Sequence, residues 1–292
     1  NSWAGTSCAP SKASILRGYG NVAEQYDYLV RDARPSTASS GGAPGNQEMV
    51  VVWAAGNNGD CPSAVLGGAG STAKNTLVVG ATENLNATGD PDGGGFTDGM
   101  ADDINKVLDL SGRGPTSDGR IKPDIMAPGS HVFGAASQHG SFTGDGINGG
   151  PGNIKGDMVP QPDRYYPPDP DGTDGIAQTL YTWSSGTSHS TPAVSGAAAL
   201  LRQWFLDRGH PAPSPAMTKA YLMNSAVYLT GPADNLPSPI QGMGRTDLAR
   251  AFDDTPRLLF DQIKTAYATA DVNAGDVFKV EGQVADPAVP FR

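Results

Sequence analysis

Two short runs of apolar side chains restrict this chain more than anything else in its sequence. Met49-Val50-Val51-Val52-Trp53-Ala54-Ala55 shows no polar alternation and stops at Gly56-Asn57-Asn58-Gly59, and Thr76 to Ala81 repeats the pattern. A strand with one wet face alternates apolar and polar residues. A strand without alternation is covered on both faces, which is the condition of a parallel sheet flanked by helices. An amphipathic stretch precedes the first run: Asn21 and Glu24 make a capping-box pattern, and Val22, Tyr26, Leu29, Val30 and Ala33 recur at helical spacing. Helix then buried strand is half of a right-handed crossover. The sequence therefore predicts an α/β fold, a mostly parallel twisted sheet with helices on both faces.

Further along, 84–103 and 138–175 are dominated by Gly, Asp and Pro and have the texture of insertions. Gly186-Thr187-Ser188-His189-Ser190-Thr191-Pro192 leads into a helix in which Val194, Ala198, Leu201 and Phe205 share a face. Ala193, Ser195, Gly196 and Ala197 permit close packing elsewhere, so this helix is expected to be buried, with Pro192 in its first turn. Ser214-Pro215 opens another helix, through about Ala226, as cap plus proline. Near Pro256 the pattern changes: Phe278, Val280 and Val284 alternate with Lys279, Glu281 and Gln283, a half-buried strand. The expected division is one domain over 1–255 and, over 256–292, the first strands of a C-terminal β-sandwich domain.

A formal net charge of −10 argues against a nucleic-acid or anionic-membrane partner. No apolar run is long enough to span a bilayer. Cys8 and Cys61 are the only cysteines, too few for a structural zinc site and not a CxxC pair, which leaves one disulfide or two buried thiols.

Three segments together resemble the subtilase family of serine proteases. Gly186 to Pro192 resembles its nucleophile motif, and Val51 to Asn57 the strand that delivers its oxyanion asparagine. Ser111-Gly112-Arg113-Gly114-Pro115 through Lys122-Pro123-Asp124-Ile125-Met126-Ala127-Pro128-Gly129 resembles a structural signature lying between them. Thr72-Ala73-Lys74-Asn75, the Arg-Gly-Pro segment and a trailing β domain are most similar to the oxidation-resistant alkaline proteases of that family. The resemblance covers most of 1–255 and marks it as a subtilisin-like catalytic domain. It implies a secreted, extracellular endopeptidase that hydrolyses peptide bonds of protein or peptide substrates through an acyl-enzyme on Ser188. A serine hydroxyl is a weak nucleophile and needs a base, an orientation and a stabilised oxyanion. The Ser188 N–H at a helix start and the Asn57 side-chain amide would be the two oxyanion donors. By the same resemblance Ser2-Trp3-Ala4-Gly5 pairs with substrate as an added strand, Ala54, Ala55 and Gly56 wall the primary pocket, and Thr187 belongs to the substrate-binding set. Taken singly, Asn57 is also a turn residue, Ser188 a helix cap and Trp3 a core side chain.

The family also needs a histidine in an H-G-T-H setting and an aspartate in a D-T/S-G setting, and neither motif occurs here. His139-Gly140 is the nearest match but lies between Asn57 and Ser188, in the wrong order, and His131 and His210 lack even that. The expectation is that residue 1 falls after these motifs and that the chain's own N-terminal segment, carrying the Asp and His, is its partner. A peptide-binding pseudoprotease and a non-peptidase acyl hydrolase are the competing readings, the second without a G-x-S-x-G elbow at Ser188. No cofactor is required for the chemistry. The resemblance admits structural calcium in the acidic insertions, with no ligands assigned. It also brings Cys8 and Cys61 to one edge of the sheet, which favours a disulfide between them. His189 stands where many relatives have methionine. Neighbours on a helix do not face each other, so it is expected to pack beside the site rather than act as base.

Overall fold

The computed structural model describes residues 18–61, 66–85, 101–135, 181–229 and 237–255, with 257, 259 and 261. The expected substrate segment Ser2 to Gly5, Cys8, His139, most of both insertions and the strand pattern near Phe278 lie outside these residues.

The expected pair of buried strands are parallel neighbours in the sheet. Strands β1 (Val52–Ala54), β2 (Leu77–Thr82) and β3 (Ile125–Pro128) run parallel in the order β1-β2-β3, with Val52 opposite Leu77 and Val79 opposite Ile125. Helix α1 (Asn21–Arg31) precedes β1, and a single turn, α2 (Ala69–Thr72), precedes β2. Strands β4 (Val132–Ala135) and β5 (Tyr181–Ser184) pair antiparallel. Then come α3 (Thr187–Asp207), α4 (Pro215–Asn224) and a short α5 (Leu248–Ala251).

Both faces of the sheet are covered, as the lack of alternation requires. On one side Val52, Leu77, Val79, Ile125 and Ala127 meet Val194, Ala197, Leu201 and Phe205 of α3 and Leu222 of α4. On the other, Trp53, Ala55, Leu66 and Val78 pack with Tyr26 of α1, whose ring sits edge-on to Trp53 at 4.5 Å. Ser214 caps α4, accepting the Met217 N–H, with Pro215 in the first turn. Contacts with this body continue to the C-terminal side: Leu259 packs against the main core and Asp261 Oδ2 accepts the Ser214 N–H at 2.7 Å.

Four local expectations are corrected. Helix α1 is capped by Gly20, whose carbonyl accepts the Glu24 N–H, and no side chain caps it. Its buried face is Ala23, Asp27 and Val30, while Val22 is 50% exposed. The face turns because Asp27 accepts the backbone N–H groups of Lys74 and Asn75 and the Tyr19 hydroxyl, bonds worth more than burying Val22. Helix α3 is not buried all round: Pro192, Ala193, Ser195, Gly196, Ala199 and Leu200 are exposed. Pro192 is not in the first turn, where it is expected, but is the sixth helical residue, so it offers no N–H to the Ser188 carbonyl four residues earlier.

A buried ionic cluster, not anticipated, pins the amino ends of β2 and β3. Asp124 Oδ2 accepts the Val78 N–H and the Lys122 ammonium, each at 2.7 Å, and Lys219 of α4 lies 3.0 Å from Oδ1. Both ammoniums also donate to the Thr76 carbonyl. Burial alone pushes the Asp124 carboxyl up; the two lysines outweigh it and hold it below the ordinary range. Burial holds the Lys122 ammonium below its ordinary value. Cys61 is 5% exposed and disulfide-bonded, and the sequence contains one other cysteine, Cys8.

Candidate active site

The carboxyl ends of three parallel strands converge on the start of α3. The strand run continues past β1 through Ala55, whose N–H reaches Val79. At Gly56 the chain turns with φ of 99°, and a Cβ there would lie 2.4 Å from the Gly67 Cα, so only glycine fits. The turn projects Asn57 outward, exposed at the sheet edge, while Asn58 and Gly59 are buried. From the end of β3, Gly129 donates to Thr82 and accepts the Gly186 N–H at 2.6 Å, which fixes the residue before α3.

Gly186 has φ of 150°, and a Cβ on it would stand 3.1 Å from Asn57 Nδ2. That close approach lets Thr187 hold Asn57 by two donors. Its N–H reaches Asn57 Oδ1 at 2.9 Å and its hydroxyl reaches the same oxygen at 2.8 Å. The Thr187 Oγ1 in turn accepts the Gly56 N–H at 3.2 Å. With the carboxamide oxygen committed to Thr187, the Asn57 NH₂ group is the end left beside Gly186. Ser188 follows Thr187 as the second residue of α3 and is half-buried, where the first-turn N–H groups and the helix dipole favour negative charge.

The geometry thus gathers Ser188, Asn57, Thr187, Ala54, Ala55 and Gly56 at one sheet edge. Ala54, Ala55 and Gly56 are buried, and Thr187 has no exposed surface, its polar atoms engaged with Asn57 and Gly56. The motif alone marks Thr187 only as a substrate contact. Its role as the clamp on Asn57 is legible only when residues 130 apart are brought together. Among the described histidines, His131 lies in the turn after β3, its N–H on Ser185 Oγ at 3.0 Å. His210 lies tilted against Phe205, ring centroids 5.8 Å apart, at the far end of α3, about 30 Å along the helix axis. His189 is half-buried beside the nucleophile, and burial lowers its pKa. Among the described residues no group of three His, Cys, Asp or Glu could hold a metal, and no helix is long and apolar enough to cross a membrane.

A model of the subtilase family matches residues 16–244 of the chain. A serine protease/ABC transporter B family protein, tagD of Dictyostelium discoideum, is 31% identical over 137 residues, 44% of this chain and 6% of that protein. Subtilisin-like protease SBT4.15 of Arabidopsis thaliana is 29% identical over 211 residues, 67% of this chain and 23% of that protein. Among solved structures, the patellamide maturation protease PatA is 25% identical with a TM-score of 0.40, covering 70% of this chain and 50% of that one. The chain spans well under a third of the length of either tagD or SBT4.15.

Proposed function

Because the chain belongs to the subtilase family, we propose that it forms the nucleophile-and-oxyanion half of a secreted serine endopeptidase acting on protein or peptide substrates. The observation that carries this is the two-donor clamp of Thr187 on the Asn57 carbonyl oxygen beside Ser188. Ser188 Oγ attacks the scissile carbonyl carbon and loses its proton to an imidazole base. The carbonyl oxygen becomes an oxyanion held by the Ser188 N–H and Asn57 Nδ2. Collapse expels the amine, protonated by the same imidazole, and leaves the acyl group on Ser188. Water, deprotonated by that base, then releases the acid and restores Ser188. Ala54, Ala55 and Gly56 are small, leaving room beside them for a large substrate side chain.

The base comes from the protein's own upstream segment in this reading. The surface between β1 and α3 supports it. Residues Ser195, Ala199 and Arg202 succeed Ser188 at helical spacing on the same face of α3. With Val50, Val51 and Val52 of the β1 run they line a groove of about 830 Å³. Among the described residues β1 pairs on one side only. An open strand edge beside an exposed helix face suits an added element.

The test compares the gene's complete product with residues 1–292 on a peptide substrate and an active-site phosphonate. The complete product should hydrolyse peptide and label Ser188; Ser188→Ala should abolish both, and Asn57→Ala should lower kcat about 10²–10³-fold, the loss known for an oxyanion donor of subtilisin. Residues 1–292 alone should show no Ser188-dependent turnover. A complete product that binds peptides without cleaving them would make it a pseudoprotease and overturn the reading.

A further inference from the structure

The β1 run leaves the sheet after Ala55, and the way the ladder is mended there bears on Asn57. Continued parallel pairing would give the Ala81 N–H of β2 to the Ala55 carbonyl, one step past the Ala55 N–H bond to Val79. The Ala55 carbonyl instead takes the Gly67 N–H at 2.6 Å, and the Ala81 N–H goes to the Ser111 hydroxyl at 3.0 Å. Ser111 lies 30 residues further along the chain and has no exposed surface, so a side chain stands in for main chain inside the sheet. Leu108 to Ser111 form a closed turn, the Ser111 N–H reaching the Leu108 carbonyl at 2.8 Å. The Leu108 N–H reaches the Ala81 carbonyl at 2.9 Å, so this one turn takes both polar groups of Ala81. The residues on either side of Ser111 hold the loop that carries Asn57. Gly112 N–H reaches the Gly56 carbonyl at 2.7 Å, and Gly59 N–H reaches the Leu110 carbonyl at 2.9 Å. The two segments touch directly: a Cβ on Gly59 would stand 2.0 Å from the Ser111 carbonyl oxygen.

We infer that Ser111 is a positioning residue for Asn57: its hydroxyl fastens residues 110–112 to β2, and that strut fixes the turn from Gly56 to Gly59 on which the asparagine stands. This rests on the oxyanion assignment of Asn57. The asparagine is then held in two ways. Thr187 orients its side chain, and Ser111, through Leu110 and Gly112, sets where its backbone lies. Ser111 acts through the turn and not on the reacting atoms. A misplacement of about 1 Å in a reacting site can cost about a hundredfold in rate, and loss of one tie among several permits only part of such a shift.

The test is a double-mutant cycle in the complete enzyme, pairing Ser111→Ala with Asn57→Ala. Ser111→Ala should lower kcat about 3- to 10-fold with little change in KM, since a misplaced donor penalises the transition state and not substrate binding. In the Asn57→Ala background the same substitution should cost under about twofold, because the group through which Ser111 acts is gone. The control is Ser214→Ala, which also removes a buried hydroxyl accepting a backbone N–H, at the start of α4, and should change kcat by under about twofold. Equal losses from Ser111→Ala in both backgrounds, no loss in either, or an equal loss from the control would each overturn the inference and leave the oxyanion assignment standing. An Asn57→Ala enzyme with unchanged kcat would overturn both. Should Ser111→Ala not fold, native-state hydrogen exchange of the wild-type enzyme decides. The Gly59, Ala81 and Gly112 amides should open together as one unit; Gly59 and Gly112 exchanging while Ala81 stays closed would sink the strut.

Discussion

Thr187→Val replaces a hydroxyl by a methyl of nearly the same size in a residue with no exposed surface, so it removes two hydrogen bonds rather than packing. The first is the O–H donated to Asn57 Oδ1 at 2.8 Å; the second is the acceptor for the Gly56 N–H at 3.2 Å. Gly56 is buried, so its N–H would lose a partner inside the protein, which costs about 1–3 kcal/mol of folding stability. Asn57 keeps one anchor, the Thr187 N–H at 2.9 Å. A neutral hydrogen bond contributes about 0.5–1.5 kcal/mol net, and about 1.4 kcal/mol is tenfold in rate. Turnover should therefore fall about 2- to 12-fold, well short of the loss from deleting Asn57. Urea unfolding of this chain reads the first effect, and kcat and KM of the complete enzyme read the second. Thr187→Ser is the control, since it keeps the hydroxyl and should lie close to wild type in both. A folded valine variant with unchanged kcat would refute the clamp, and a serine variant as damaged as valine would show that the methyl matters instead.

Asp124→Asn should destabilise the chain by about 3–5 kcal/mol, because it strands the buried Lys122 ammonium and the partly buried Lys219 ammonium that share one carboxylate; a urea midpoint that hardly moves would contradict the cluster's importance. His189 has its pKa lowered by burial, so between the native and unfolded values the unfolded chain binds the extra proton. Its contribution is complete above about 6.5 and is lost as pH falls through the depressed native value. His189→Gln should flatten the acid side of the stability–pH curve in that window, and parallel curves for the two proteins would show that His189 is not responsible.

Much of the architecture was legible because it depends on local pattern. The unbroken apolar runs at 49–55 and 76–81 could only be strands covered twice, and they are neighbours in the sheet. Ser214-Pro215 carried its own cap chemistry, and the cap bond is there. Features that depend on distant partners failed to show. Asp27 has no place in the apolar spacing of α1, yet it is buried because the backbone at Lys74 and Asn75 needs an acceptor. Lys122 and Asp124 were recognised as part of a motif, but their burial depends on Lys219, which nothing local announces. The outer face of α3 misled in the opposite sense, since small apolar residues say that a face can be covered and not that it is.

The Asn57–Thr187 clamp has a consequence for the order of folding. Its two halves are 130 residues apart in sequence, and the segments that align them, β1, β2 and β3, are joined by non-local parallel pairing. Contacts that span so much chain form late, after the loop-closure entropy has been met by the sheet itself. No partly folded chain can hold the Asn57–Thr187 geometry, because the carboxamide has no orientation until the start of α3 arrives. The union of Asn57 with the start of α3 is then a property of the finished molecule alone, absent from every incompletely folded copy of this chain.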